Sequence, residues 1–499
     1  MKSSKKRGFL LKAGAMLAAV TLAFSPTPAQ AEDLAMNSMP ETSNLIITKV
    51  EQGADKGTPT NGEKQTITGN TIEGVTFEAY QVPLTEAPGT ESWQQEIAGT
   101  DLAEAQGAID SDAAVKSGTT NDSGVVTFND LARGLYLIRE TKTPAGVVRS
   151  GDFLVAVPQT NAAGTAWLSD IYVYPKNHTV DATKTVENAT DYKTGDVVTW
   201  TITADIPQVR DPLSGDFVST EMFVITDLLN DSELTPTSDS PIKVLSPENL
   251  DFDTDYKVNT TVPVEGQTLV TVTFTDAGRA KIADALPGTQ QVVVTLDTVV
   301  NASGVIDNTA FINHGTGSEY NTDTDGGGTP EIRYGDITVI KSDENNTRLE
   351  GAQFRVYLTQ EAAQAAADVA YSDTDPNGYL TPASNTSGLW TTGEDGTVKI
   401  AGLRDSSFAN GGAVAEQLYW LVETQAPAGH QLLAEPVSFT VNGKDLSLTL
   451  NVSNASNTGN GFQLPLTGGT GTALLTILGI AILGLVLFVA RMRRNGESA

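Results

Sequence analysis

Three lysines in this chain stand where a lysine is costly. In an extended strand, residues two apart share a face. Lys49 shares its face with Leu45 and Ile47, Lys184 with Val180, Ala182 and Val186, and Lys341 with Ile337 and Val339. Each run therefore aims an ammonium at an apolar core, where lysine is almost never found without a partner. The same alternation turns three carboxyls inward: Glu140 with Tyr136 and Ile138, Asp227 with Phe223 and Ile225, Glu423 with Tyr419 and Leu421. It also turns three amides inward: Asn177 with Ile171 and Val173, Asn308 with Ile306 and Ala310, Asn454 with Leu448, Leu450 and Val452. Asn313 stays open as an alternative to Asn308, since both faces of its strand carry apolar residues, whereas Asn451 is out of phase with its strand.

Lysine, acid and asparagine meeting in a dry core can react with one another. Burial lowers the pKa of the amine and raises that of the carboxyl, so both tend toward neutral forms. A neutral amine is a nucleophile, and a protonated carboxyl can polarise the asparagine carbonyl. The expected product is an intramolecular isopeptide bond with loss of ammonia, promoted by Glu140, Asp227 or Glu423, and no cofactor is required. The expected pairs are Lys49–Asn177, Lys184–Asn308 and Lys341–Asn454. A snorkelling lysine or a plain buried ion pair is the alternative for any one set. Three occurrences in a chain with no cysteine favour the reaction, since an exported protein would otherwise be expected to use disulfides.

The elements that must position these groups read as β throughout. Short runs rich in Val, Ile, Thr and Tyr alternate with Gly, Asn, Asp and Pro clusters, the pattern of all-β sandwiches. One helical patch is expected, at 360–369. A weak internal repeat marks the domains: LIITK, EGVTFEAY and YLIRETKTPAG in the first copy, ITVIK, EGAQFRVY and YWLVETQAPAG in the later one. The expected organisation is a signal peptide at 1–31 and three tandem Ig-like domains at 32–178, 179–334 and 335–457. Residues 458–499 form a terminal segment. The glycines 326–328 read as a linker, and the polar, Gly-rich residues 454–462 as a stalk.

The two ends place the chain outside the cell. Basic residues, an apolar run and Ala29-Gln30-Ala31 describe a secretory signal. Residues 473–490 are uncharged and apolar, close to a membrane span, and Arg491, Arg493 and Arg494 follow on what should be the cytoplasmic side. The formal charge of -30 excludes nucleic acid as a partner. With no cysteine and three scattered histidines, thiolate chemistry is excluded and a zinc site is not expected.

Leu464-Pro465-Leu466-Thr467-Gly468, the apolar span and the arginines together resemble the cell-wall sorting signal read by sortases. WLSDIYVYPKN, residues 167–177, is similar to the pilin motif of sortase-assembled pilins, and YLIRETKTPAG and YWLVETQAPAG resemble the family's E-box, with Glu140 and Glu423 at its glutamate. The chain thus resembles the major, or backbone, pilins of Gram-positive bacteria, with Ig-like domains of the collagen-adhesin B type at both ends. The resemblance implies that sortase cleaves after Thr467 and that Lys176 of the next subunit attacks the resulting thioester. It further implies as partners pilin-type and housekeeping sortases, identical subunits in a covalent homopolymer, minor pilins, peptidoglycan and host surface ligands. Lys176 fits that role on phase alone, lying one place out of step with Ile171, Val173, Pro175 and Asn177.

Two other functions share parts of this pattern. A wall-anchored adhesin or tip pilin would share the sorting signal but carry an inserted ligand-binding domain, for which the repeats leave no room. A surface hydrolase would need a base and an oxyanion site that nothing in the chain supplies beyond the three triads. A calcium ion is a further expectation: Asp373, Asp375 and Asn377 alternate ahead of Gly378 as in the first half of a calcium loop. Ser384 stands where that loop's bidentate glutamate belongs, which favours a solvated acidic loop over a metal site.

Overall fold

The computed structural model describes residues 38–456 apart from 53–59, 110–113, 211–215, 238–240, 316–318, 323–328, 369–377 and 446–447. The chain divides into two compact units. The first comprises residues up to 50, 54–140 and 152–176; the second comprises 51–53, 141–151 and the chain from 177 onward.

In the first unit, strand Thr42–Thr48 pairs antiparallel with Val125–Ala132 and parallel with Asp170–Val173. A second sheet runs in the order Ala114–Thr119, Thr76–Val82, Gly134–Lys142, Phe153–Val157. Leu45, Ile47, Phe77, Phe128, Tyr136, Ile138 and Ile171 fill the space between. The Gly134–Lys142 strand is buried on both faces over its first five residues. Its outer face is covered because Leu135 and Leu137 pack with Tyr80, Val82 and the helix residue Ala105. Helices Glu91–Gly99 and Leu102–Ala108 are short, and Thr90 and Asp101 cap them by accepting from backbone N–H groups. The sequence pattern expects neither. Helix Gln360–Ala367, capped by Thr359, lies at the expected place, and Asp276–Asp284 is a further helix that was not expected.

The second unit holds two sandwiches. One packs Ala182–Glu187, Val197–Asp205 and Gln291–Val300 against Tyr256–Thr261, Gln267–Phe274, Val224–Asn230 and Ala310–Asn313. The other packs Glu331–Asp343, Thr397–Arg404 and Leu448–Asn454 against Gln353–Tyr357, Tyr419–Gln425 and Val437–Phe439. The two share a strand. Glu331–Asp343 runs unbroken for 13 residues, pairing first with Gly304–Asp307 and then with Thr397–Arg404 and Leu448–Asn454. Residues 334 and 335 are therefore consecutive positions of one strand, while the expected linker at 326–328 lies outside the described residues. The stalk expected from residue 454 is corrected at its first position: Asn454 ends a strand and is buried, because it pairs with Asp343 and its neighbour Ser453 with Ser342.

Candidate functional site

The last sandwich brings its three expected groups together. Lys341, Glu423 and Asn454 are all buried. The parallel register sets Lys341 against Val452 and Asp343 against Asn454, so the lysine and the amide are diagonal neighbours on one sheet. Glu423 comes from the facing sheet. Lys341 Nζ donates to Asn454 Oδ1 and lies 3.2 Å from Glu423 Oε1. Asn454 Nδ2 donates to both Glu423 oxygens, at 2.9 and 3.0 Å. The backbone N–H of Leu433 donates to Glu423 Oε2 at 2.9 Å and fixes the carboxyl's far side. Burial holds the Lys341 ammonium below the ordinary lysine range, outweighing the pull of Glu423. Asn451 points outward, as its phase requires.

In the middle sandwich Lys184 stands on one sheet and Asp227 on the other, and both are buried. Lys184 Nζ and Asp227 Oδ2 form an ion pair. Asp227 lies opposite Ala310, and Asn308, two residues earlier and also buried, falls on the same face. The Asn308 amide sits near enough to draw the Asp227 carboxyl down, yet outside hydrogen-bond geometry: Asn308 Nδ2 and Asp227 Oδ1 have no hydrogen-bond partner. Burial dominates, raising Asp227 and lowering Lys184, so each group is pushed toward its neutral form. Asn313 is turned elsewhere; its Nδ2 donates to Glu319 at 3.3 Å and its Oδ1 accepts from the Gly315 N–H.

In the first unit Lys49 and Glu140 are buried and paired, Nζ to Oε2 at 2.8 Å, and burial again lowers the lysine. Asn177, in the second unit, is buried, and its main-chain carbonyl accepts from the Gln52 N–H at 2.7 Å. Lys176 is half-buried and, among the described residues, its side chain makes no hydrogen bond or ion pair.

The sequence reading missed the residues that hold the two repeat lysines. The N–H of Lys49 donates to Gly124 O and that of Lys341 to Gly396 O, both at 2.8 Å. The carbonyls of Lys49 and Lys341 accept in turn from the N–H groups of Ile72 and Leu349. Gly124 and Gly396 have φ of +69° and +68°, and a Cβ on either would come within 2.6 Å of Thr71 or 2.8 Å of Arg348. Thr120 and Thr392 anchor the same turns. The hydroxyl of Thr120 accepts from Val75 N–H and donates to Ile72 O; that of Thr392 accepts from Ala352 N–H and donates to Leu349 O. The signal was present as a shared Thr-x-x-x-Gly, TNDSG and TGEDG.

Residues Leu464 to Gly468, the apolar span 473–490 and the calcium-loop positions Asp373, Asp375 and Asn377 lie outside the described residues. Among the described residues no group of three or more His, Cys, Asp or Glu side chains could hold a metal ion, and no helix is long and apolar enough to cross a membrane.

Comparison with known proteins agrees over most of the length. Residues 40–178 match the Gram-positive pilin subunit D1 N-terminal domain, 335–456 the SpaA prealbumin-like fold domain, and 456–498 the LPXTG cell wall anchor motif. The chain is 31% identical over 441 residues to fimbrial subunit type 1 of Actinomyces viscosus, covering 79% of this chain and 81% of that one. It is 30% identical over 496 residues to fimbrial subunit type 2 of Actinomyces naeslundii, covering 89% and 87%. Among solved structures, the full-length major pilin SpaD of Corynebacterium diphtheriae matches with a TM-score of 0.63 at 24% identity, covering 83% of this chain and 98% of that one. The major pilin SpaA of the same organism matches with a TM-score of 0.60 at 22% identity, covering 83% and 100%. At these identities the solved structures speak for the fold.

Proposed function

Since the chain belongs to the family of Gram-positive fimbrial subunits, with a cell-wall anchor motif at its end, we propose that it is the repeating backbone unit of a covalent surface pilus. Sortase joins copies by cleaving between Thr467 and Gly468; Lys176 of the next copy attacks the enzyme-held Thr467 carbonyl, forming an amide and releasing the sortase thiol. The half-buried Lys176, whose side chain has no competing partner among the described residues, supports that assignment. Within each copy, Lys341 Nζ attacks Asn454 Cγ. The Nζ–Cγ bond forms, the Cγ–Nδ2 bond breaks, and a proton passes from Nζ by way of Glu423 to the departing nitrogen, which leaves as ammonia. Lys184 reacts with Asn308 beside Asp227 in the same way, and Lys49 with Asn177 beside Glu140.

The observation that carries this reading is the last core, where amine, carboxyl and amide are buried and in mutual contact. The intersubunit step is tested by Lys176→Arg, examined for high-mass, detergent-resistant polymers in cells that hold the sortases. Polymers should vanish while the monomer stays folded and reaches the wall. A polymer ladder that survives the substitution removes the backbone assignment for Lys176.

A further inference from the structure

Each core lysine lies over the face of an aromatic ring. Lys49 Nζ is 5.5 Å from the ring centre of Phe77, Lys184 Nζ 5.2 Å from Trp200, and Lys341 Nζ 5.8 Å from Phe354. All three rings are fully buried. A cation within about 6 Å of a ring centre is drawn to the negative π face, and more strongly where water is excluded.

The internal repeat accounts for two of these rings, since Phe77 and Phe354 hold the same place in EGVTFEAY and EGAQFRVY. It does not account for the third. In the last sandwich the ring stands beside the carboxyl, Phe354 pairing in register with Glu423 on the sheet that faces the lysine. In the middle sandwich the ring belongs to the lysine's own sheet: Trp200 pairs with Val186, diagonal to Lys184, and its indole N–H donates to Thr298 Oγ1 at 2.9 Å. Two unrelated strand arrangements thus bring a ring to nearly the same distance from the same atom.

We propose that Phe354, and with it Phe77 and Trp200, is a positioning residue for isopeptide formation, its ring face holding Nζ at the junction of carboxyl and amide. This rests on the reading of Lys341, Glu423 and Asn454 as a bond-forming set. A long, freely rotating side chain loses entropy when its tip is fixed, and the ring supplies a second point of attraction beside Glu423. Glu423 is the charged group facing Lys341; Asn454 is neutral. The ring also has a cost, because it favours the ammonium, whereas attack needs the free amine. Weakening the ring therefore moves two quantities at once. The amine is freed at lower pH, so the midpoint of the rate against pH falls. Above that midpoint the amine is neutral and the ring face holds Nζ only through the weaker N–H···π contact, so draining the ring face lowers the plateau rate as well.

The test uses the full mature chain made by cell-free synthesis with mono-, di- or trifluorophenylalanine at position 354, which drains charge from the ring face at nearly constant volume. Folding is started across a pH series and quenched, and the peptides containing Lys341 and Asn454 are weighed. The Lys184–Asn308 peptides of the same molecules serve as internal standard. The midpoint should fall stepwise, by up to about one pH unit, and the plateau rate by about tenfold. Phe354→Tyr, which keeps a π face, should behave as the unsubstituted chain. A midpoint that stays put across the fluorinated series, or that stays put while Phe354→Leu merely slows the reaction, overturns the proposal and leaves the ring as packing. Absence of both links from the unsubstituted chain would overturn the isopeptide reading itself, and this proposal with it.

Discussion

The middle and last sandwiches reach the same three-group junction by different routes. In the last, lysine and amide project from neighbouring parallel strands of one sheet and the carboxyl reaches across from the other. In the middle, the lysine crosses from one sheet to meet a carboxyl on the second, and the buried amide of Asn308 lies just ahead of the strand that pairs beside that carboxyl. The polar groups differ in step with this. Asn454 uses both ends of its amide, whereas Asn308 Nδ2 and Asp227 Oδ1 are left without hydrogen bonds, a costly state for buried groups. What the chemistry asks of a fold is therefore convergence in a dry place, not a particular strand order. The middle core would have the more to gain from the proposed reaction, since the amide nitrogen that lacks a partner is the one that would leave.

The largest expected effect separates the two cores outright. Glu423→Ala should leave Lys341 and Asn454 unlinked while the Lys184–Asn308 bond still forms, and Asp227→Ala should do the reverse. Closing a loop of about 100 residues removes denatured-state entropy worth roughly 4–5 kcal/mol in the disulfide treatment, so each variant should lose one calorimetric transition to a much lower temperature. Peptide masses identify the missing link. If either substitution abolishes both bonds, the cores are not independent and the comparison fails.

Acid should distinguish the sandwiches next. Burial against Phe223 and Tyr320 pushes His314 in the middle sandwich from the ordinary 6.5 down to about 3. The unfolded chain then binds a proton that the folded one refuses, so its stabilising contribution is complete above about pH 6.5 and is lost as the pH falls toward 3. The loss is of the order of a few kcal/mol. His430, the histidine of the last sandwich, is not buried. Melting followed from pH 7 to pH 4 should show the middle transition falling faster, and His314→Phe should remove that excess. Parallel decline of both transitions would assign the acid response elsewhere.

How much of this was legible beforehand follows from what each feature depends on. Burial by alternation is a local property, and it placed Lys184, Asp227 and Asn308, as well as Lys341, Glu423 and Asn454, because each sits in or beside a straight run of strand. Asn454 was nonetheless also read as stalk, since Asn-Ala-Ser-Asn-Thr-Gly looks polar until Ser342 and Asp343 are known to pair beside it. The continuous strand Glu331–Asp343 was hidden by the glycines ahead of it. Helices Glu91–Gly99 and Leu102–Ala108 were hidden because each buries one side chain, Trp93 and Ala105, too few to set a period. The turns at Gly124 and Gly396 depend on contacts with Thr71 and Arg348, which single-strand patterns cannot express.

The smallest expected effect concerns load. On the proposed linkage of Lys176 to Thr467, the covalent path of a fibre would run through the middle and last sandwiches and leave residues 38–175 outside it. An unlinked segment such as 184–308 could extend by roughly 3.3–3.6 Å per residue, on the order of 400 Å. Fibres of Asp227→Ala or Glu423→Ala should therefore lengthen under pulling, and Glu140→Ala fibres should not. Equal lengthening with Glu140→Ala would contradict this path.

The mass of a polypeptide running from Glu32 to Leu464 reports on all three covalent links at once. The account requires a protein lighter than its sequence by three ammonia molecules, with branched peptides joining Lys49 to Asn177, Lys184 to Asn308 and Lys341 to Asn454. A deficit of two would leave Lys49 and Glu140 as a plain buried ion pair. A mass equal to the sequence, with Asn308 and Asn454 intact, would contradict the account.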